Sequence, residues 1–388
     1  MSEVDRDRPA TCRSGTSPDA TKIRVLFVEM AIGFGGSTKS LLELVVAMTD
    51  VEAFVLSAFP IEAIGIRPIR VTPRKYSAPA SRMMGYLREL RYQAMWFIAV
   101  IRAARANDVD IVHVNNGLSL NVAAALAARV LRIPLVVHQR GWEAPSKKLK
   151  LAKRLVDKAP IIAISKAIRD HLLTLQLNED SIVQIYDVVL APTGRLRERI
   201  PTGVLQVGMH GMLTEWKGHH LLIQAAGRLN TLAPGAFHFS IAGGTVPGQD
   251  SYVDSLIGAI REQGLLEIVE LVGHKDDVFE FLSGIDISVH ASISPEPLGR
   301  VIIEAQLAGV CVVAANSGGA TELVSDSCGI PFEATSVASL VQAIQSAATS
   351  AQYRGEVAVR GRDRARNLFD TKRLAKAVRE KYQTETGK

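Results

Sequence analysis

Apolar residues come along this chain in short, nearly unbroken runs, and between the runs their spacing changes to three and four. The first run, Ile23–Glu29 (IRVLFVE), has the continuous apolar character of a strand covered on both faces. A glycine turn follows, Gly33-Phe34-Gly35-Gly36-Ser37, and then a helical pattern over Thr38–Met48. Similar runs at Ala53–Ser57, Asp110–Val114, Leu135–His138, Ile161–Ile164 and Ile182–Ile185 alternate with helix-length stretches such as Leu118–Leu131 and Ser165–Gln176. Alternation of this kind predicts a parallel sheet flanked by helices.

The pattern lapses after Ala191, where APTGRLRERIPTG brings prolines, glycines and charges with no apolar period. It then resumes. Strands are expected near Val204–Gly208, His238–Ala242, Ile268–Val272, Asp286–His290 and Val310–Ala314, with helices near Gly218–Asn230, Asp250–Gln263, Gly299–Ala308 and Ser336–Thr349. The reading is α/β throughout: a disordered tail over residues 1–20, a first doubly wound domain over 21–192, a linker over 193–203, and a second such domain over 204–388 that ends in helices. Ligands of open α/β sheets bind beyond the carboxyl ends of the strands, so function is expected in the loops facing the cleft between the two domains.

Composition sharpens this picture. The 388 residues are 47% hydrophobic, ample for a core and long for one domain. A membrane-spanning helix needs about 20 apolar residues, and the long uncharged stretch Ile111–Ala128 is studded with His113, Asn115, Asn116, Ser119 and Asn121. The polar first 20 residues lack the apolar stretch of a secretory signal, so a cytoplasmic location is expected. Cys12, Cys311 and Cys328 show no paired spacing and read as reduced, structural thiols. Charge is uneven: residues 1–200 hold 29 Lys plus Arg against 19 Asp plus Glu, residues 201–388 hold 16 against 20. Between Arg67 and Lys158, 18 basic residues meet five acidic ones, which suits a polyanion or an anionic membrane surface as partner, with an ordinary solvated basic face as the alternative.

A strand followed by glycines invites a dinucleotide reading, which the residues oppose. Gly33-x-Gly35-x-x-Thr38 lacks the last glycine of G-x-G-x-x-G, and Phe54–Ala58 offers no acid for a ribose. Gly33, Gly35 and Gly36 can still let backbone N–H groups approach an anion at a helix start, with a plain tight turn as the alternative.

The most informative stretch is SPEPLGRVIIEAQLAG, residues 294–309, in which seven residues separate Glu296 from Glu304 and Gly299 opens a helix. With the following Val312-Val313-Ala314 and Gly318-Gly319, it closely resembles the E-x7-E signature of retaining GT-B glycosyltransferases of the family 4 type. The resemblance runs from Ile23 onward and includes the glycine loop, Ile164-Ser165, residues 211–218 (GMLTEWKG), Gly243-Gly244 and Val272-Gly273-His274-Lys275. It implies a GT-B fold and a nucleotide-sugar donor as co-substrate, with no other cofactor; the residues offer no H-x3-H, H-E-x-x-H or DxD-like motif, so no metal is expected. By the same resemblance Glu304 holds the ribose, Glu296 contacts the transferred sugar, and backbone N–H groups at Leu298, Gly299 and Arg300 receive phosphate. Lys217 pairs with the diphosphate, Gly273, His274 and Lys275 lie near the base, and Gly243 and Gly244 line the donor site. His138, at a strand end before Gln139-Arg140-Gly141-Trp142, resembles the first-domain histidine that touches the transferred sugar; a structural imidazole is the alternative, and His113 is a second strand-end candidate.

Two positions depart from the family. Met212 stands where G-R-L-x-x-x-K-G has its second diphosphate cation, with His210 and Arg300 nearest in sequence, and Tyr186-Asp187-Val188-Val189 replaces a YNGV-like turn. The implied activity is transfer of a sugar to a glycan or lipid-linked hydroxyl with retention at the anomeric carbon. Alternatives are a catalytically impaired GT-B protein serving as a nucleotide-binding or partner subunit, and an epimerase or phosphorylase on the same fold. Nucleic acid is not an expected partner. Residues 82–107 read as an amphipathic helix with Arg88, Arg91, Arg102 and Arg105 beside the apolar stripe, suited either to lipid headgroups or to packing in the first domain; Lys147–Arg154 adds a second cationic segment.

Overall fold

The computed structural model describes residues 22–31, 33, 35–61, 63, 65–71, 82–191, 203–245, 250–325 and 327–388. The expected tail at 1–20, Cys12, and the linker apart from Gly203 lie outside these residues.

Two parallel sheets form the frame. The first contains β1 (Ile23–Glu29), β2 (Val51–Ser57), β3 (Ile66–Arg70), β4 (Ile111–Val114), β5 (Leu135–Gln139), β6 (Ile161–Ala163) and β7 (Ile182–Gln184), in the order β3-β2-β1-β4-β5-β6-β7. The second contains β8 (Leu205–His210), β9 (Phe237–Ala242), β10 (Val269–Gly273), β11 (Ile287–His290), β12 (Cys311–Ala315) and β13 (Ile330–Phe332), in the order β10-β9-β8-β11-β12-β13. The flanking helices are α1 (Gly36–Ala47), α2 (Arg82–Ala106), α3 (Val122–Leu131), α4 (Lys147–Leu155), α5 (Lys166–Thr174), α6 (His219–Leu232), α7 (Asp250–Glu262), α8 (Val278–Ser283), α9 (Arg300–Leu307), α10 (Ala320–Leu323), α11 (Val337–Ala348), α12 (Ala351–Leu368) and α13 (Thr371–Thr386). Both domains are Rossmann-like, and Cys311 and Cys328 are buried free thiols.

In each sheet the strand order reverses once, between β1 and β4 and between β8 and β11. Register then decides which residues emerge there. Val28 pairs with Val114, so Glu29 and Asn115 leave the first sheet side by side. Ser288 pairs with Gly208, so two residues on His290 and His210 leave the second as neighbours. These are the crevices where doubly wound sheets bind ligands.

Two edge strands went unread in the sequence for the same reason. β3 (IRPIR) and β13 (IPF) each contain a proline, which lacks the ladder N–H and is tolerated only where a strand has one neighbour. A larger difference concerns the chain end. Helix α13 packs not on the second sheet but on α1, β4 and β5 of the first. Its Tyr382 is fully buried, lies 6.5 Å from Phe27 edge-on, and its hydroxyl stands 2.6 Å from His113 Nδ1. The first core therefore takes in residues from both ends of the chain, including Leu298, Ile302, Phe369 and Val378.

Helix α2 divides along its length. Trp96, Val100, Ala103 and Ala104 are buried against the first sheet and α3, whereas Met83, Tyr86, Leu87 and Leu90 are exposed. The packing expected of this segment is thus found in its second half, while the first half leaves its apolar side chains exposed.

Truncating Tyr382 tests the chain-end anchor. Tyr382→Phe leaves His113 Nδ1 without its partner and should cost about 1–3 kcal/mol, while Tyr382→Ala, which also opens a cavity, should cost about 3–5 kcal/mol. Urea unfolding of both variants measures this; a Phe variant as stable as the wild type would show that the hydroxyl contributes nothing. Burial also holds three histidines neutral: His113 is pushed down to about 3, with Arg140 adding to the effect, His219 to about 4, and His138 well below its usual range. The unfolded chain takes up these protons below about pH 6.5 and the folded chain does not, so stability is full above that pH and drains as pH falls toward 4. Each histidine contributes about 1.4 kcal/mol per pH unit in that window. Urea midpoints at pH 7.5 and 5.5 should differ accordingly, and equal midpoints would contradict the neutral assignment.

Candidate active site

The loop from β11 to α9 carries Ser292 and Glu296, and its path depends on close backbone approaches. Lys217 is followed by Gly218 (φ +78°), where a Cβ would lie 2.0 Å from the Ala291 carbonyl oxygen. On the other side Gly318 (φ +59°) would place a Cβ 2.3 Å from the Glu296 carbonyl, which accepts a hydrogen bond from the Gly319 N–H at 2.7 Å. Only glycine fits at 218 and 318, so Lys217 and Glu296 are brought together over the end of β11.

Glu296 is buried and fully engaged. Lys217 Nζ donates to both carboxylate oxygens at 3.1 and 2.9 Å, Ser292 Oγ donates at 2.9 Å, and His290 Nε2 lies at 3.1 Å. Lys217 also sits 4.0 Å from the centre of the Trp216 ring. Burial alone would raise this carboxyl, but the Lys217 charge and the His290 hydrogen bond hold it well below the usual carboxylate range.

Glu304 lies within α9. His210 Nε2 stands 3.2 Å from one oxygen, while Lys39 Nζ and Arg300 Nε each reach the other at 3.0 Å. Here too burial opposes ionisation and is outweighed by the His210 hydrogen bond and the Arg300 charge. Lys39 comes from α1, so this cluster crosses the cleft. Arg300 crosses it as well, donating to both Glu43 oxygens at 2.6 Å and to Ser40 Oγ at 2.9 Å. Its guanidinium is thereby committed to carboxylates. What remains for an anion at the start of α9 is the helix N-terminus itself, with Gly299 as a cap lacking a side chain and no acid in the first turn. Leu298 is buried beneath it, and Met212 is 41% exposed.

The remaining expected donor residues lie along the second sheet's rim. The Gly243 N–H donates to the Gly273 carbonyl at 2.9 Å, Gly244 faces the His274 ring, and His274 and Lys275 are exposed. In the first domain Gly33, Gly35 and Gly36 each have nothing within 4 Å of where a Cβ would stand.

His138 does not stand open at the cleft. It is 1% exposed, its Nδ1 lies 3.2 Å from His113 Nε2 and 3.3 Å from Arg140 Nη2, and Tyr382 completes the column. Arginine only donates, so His138 Nδ1 accepts and the neutral ring carries its proton on Nε2, 3.6 Å from Asp187. The group closer to the strand exit is Arg140, paired with Asp187 and donating to Asn115 at 2.5 Å. Asn115 and Asn116 in turn donate to Glu29 at 2.6 Å each. Sequence reading passed over Arg140, Lys39, Glu43 and Glu29; Asp187 was visible only as a departure from a turn.

Comparison with known proteins places the whole arrangement. Residues 34–189 match the family Glycosyltransferase Family 4, and residues 194–364 match Glycosyl transferases group 1. The chain is 28% identical over 295 residues to glycogen synthase of Mycobacterium tuberculosis, covering 70% of this chain and 68% of that one. It is 29% identical over 168 residues to the lipopolysaccharide core biosynthesis glycosyltransferase LpsE of Rhizobium meliloti, covering 43% and 46%. Among solved structures, Anabaena HepE in complex with UDP and glucose is similar with a TM-score of 0.78 at 24% identity, covering 93% of this chain and all of that one. Adjoining family matches over both sheets, together with the E-x7-E carboxylates at the second switch point, establish that the chain belongs to the GT-B glycosyltransferases of the family 4 type.

Proposed function

We propose that the protein is a retaining, metal-independent glycosyltransferase that moves a sugar from a nucleoside-diphosphate donor to a hydroxyl of a glycan or lipid-linked acceptor in polysaccharide or glycoconjugate synthesis. The observation that carries this reading is the pair of ionised carboxylates, Glu296 with Lys217 and Glu304 with His210, on either side of the unblocked N-terminus of α9. HepE, of like fold, binds UDP and glucose, which supports a nucleotide-sugar as donor.

In this reading Glu304 accepts the ribose hydroxyls and Glu296 accepts hydroxyls of the transferred sugar, both held anionic by their surroundings. The diphosphate lies at the start of α9. As the anomeric carbon–oxygen bond to the leaving phosphate breaks, negative charge grows on that oxygen, and the backbone N–H groups near Gly299 and Arg300 are already aimed at it. Lys217 has three donors, enough to keep Glu296 and still meet the diphosphate. The acceptor hydroxyl attacks from the face the phosphate is leaving, forms the new bond to the anomeric carbon, and passes its proton to the departing phosphate oxygen. Preorganised positive charge at that oxygen does the work a metal would do. Arg140 and Asp187 form the facing, first-domain wall.

The first domain also carries a surface suited to an anionic bilayer, which agrees with a cytoplasmic enzyme attached peripherally to the membrane. Met83, Tyr86, Leu87 and Leu90 project from α2, and the exposed Lys147, Lys148 and Lys150 of α4 lie alongside, with Lys148 Nζ 2.6 Å from Glu89. No helix among the described residues is long and apolar enough to cross a membrane.

Titrating nucleoside diphosphates separates the two carboxylates. Glu304→Ala should weaken binding about 10-fold or more, whereas Glu296→Ala should bind nearly as the wild type does and lose turnover by about 10²-fold; the opposite result would reverse the assignment. Vesicle sedimentation tests the surface. Binding to phosphatidylglycerol-containing vesicles should exceed binding to phosphatidylcholine and fall as salt rises, and Leu87→Glu with Leu90→Glu should abolish it. Equal partition into both lipids would exclude this attachment.

A further inference from the structure

Met212 leaves the donor site one cation short of its family, so the charge has to come from elsewhere. Among the described residues three cations face the two carboxylates. Lys217 is held by both oxygens of Glu296 and by the Trp216 ring. Arg300 is divided among Glu43, Ser40 and Glu304. Lys39 has Glu304 as its one ion-pair partner among the described residues, and its side chain is 36% exposed.

The position of Lys39 is telling in itself. It lies in the first turn of α1, where a cation opposes the helix dipole, and that helix start has no side-chain cap and no acid in its first turn. Positive potential is therefore concentrated at the cleft edge of the first domain, where Glu29 meets the Thr38 hydroxyl from within the first domain at 3.3 Å and Glu304 meets the Lys39 ammonium from the second at 3.0 Å. Glu304 is four residues from Arg300, the first residue of α9, which is about 6 Å of helix rise. An ammonium resting on Glu304 thus sits about one turn from the N–H groups expected to hold the diphosphate.

We propose that Lys39 is the second diphosphate cation of this enzyme, supplied across the cleft from α1 in place of the side chain missing at Met212. This rests on the donor site described under the proposed function. Once ribose hydroxyls occupy Glu304, the ammonium gives up its carboxylate partner and its four-carbon stem carries it to the neighbouring phosphate oxygens. Stabilisation of the leaving group then depends on the cleft being closed, because the cation and the helix N-terminus belong to different domains.

Calorimetric titration with UDP, GDP and ADP, and with the nucleoside of whichever binds, tests this alongside donor hydrolysis. Lys39→Ala should weaken the nucleoside diphosphate about 10-fold or more, leave the nucleoside unchanged, and slow hydrolysis about 10²-fold; Lys39→Arg should keep most of both. Met212→Arg should restore much of the lost rate in the Lys39→Ala background and add far less in the wild type, since the two cations would serve one group. If Lys39→Ala instead binds diphosphate and nucleoside both more tightly, Lys39 merely occupies Glu304 until ribose displaces it, and the proposal falls. An equal gain from Met212→Arg in both backgrounds would also overturn it. A wild-type protein that binds none of the three diphosphates would overturn the donor-site reading and this one with it.

Discussion

Two carboxylates on either side of one helix start, Glu296 and Glu304, have to stay ionised where almost no water reaches them, and much of the molecule is arranged around that cost. An unpaired buried carboxylate is penalised by several kcal/mol and would take up a proton. Each is met by a histidine from the strand reversal of the second sheet, His290 for one and His210 for the other, and each by at least one cation. Strand register makes this possible, because β8 and β11 are neighbours that finish two residues beyond a paired position. Closing the Glu304 cluster takes Lys39 from the other domain, so the electrostatics of this buried carboxylate and the approach of the two domains are one problem.

Other contacts across the cleft also give polar groups partners from the opposite domain. Glu322 of α10 receives the first N–H groups of α5, from Lys166 and Ala167 at 3.0 and 2.8 Å, and the Tyr186 hydroxyl at 3.0 Å. It serves as an acidic cap for a helix that belongs to the opposite domain. Ser165 caps the same helix by accepting from the Ile168 N–H, and donates its own proton to the Pro297 carbonyl in the Glu296 loop. Trp142 Nε1 reaches the Pro295 carbonyl at 2.8 Å. With α13 returned to the first sheet, the chain crosses between domains twice, so any opening of the cleft has to be absorbed at both crossings.

How much of this could be read from the sequence depends on the range of the interaction. Buried central strands announce themselves because both faces are apolar, and β1 matches its expected limits at Ile23 and Glu29. The Glu296 to Glu304 spacing is local, and the loop and helix that separate them were legible. Lys39 was not, since its partner is 265 residues away and nothing in GGSTKS distinguishes it from a solvated lysine. His138 was visible as a strand-end histidine, but which face of β5 it takes is decided by His113 and by Tyr382 arriving from the far end of the chain. The end of the second domain misled for a related reason: the period of α13 shows an apolar stripe without saying which sheet it covers.

The uneven charge of the two halves now has two separable causes. Part of the basic excess lies in the exposed segments of α2 and α4, at the surface and remote from the carboxylates, where it can act only at long range and is open to screening by salt. Another part is spent inside: Lys39 and Arg140 sit in the cleft wall, where each faces a carboxylate at short distance and is screened far less. The acidic surplus of the second half includes Glu296, Glu304 and Glu322; the first is met within its own domain, while Glu304 receives Lys39 and Glu322 receives the start of α5 from across the cleft. A substitution that adds charge to the outer face of α2 therefore acts through solvent and weakens as salt rises, whereas the same change at Lys39 alters the field at the buried Glu304 carboxylate directly.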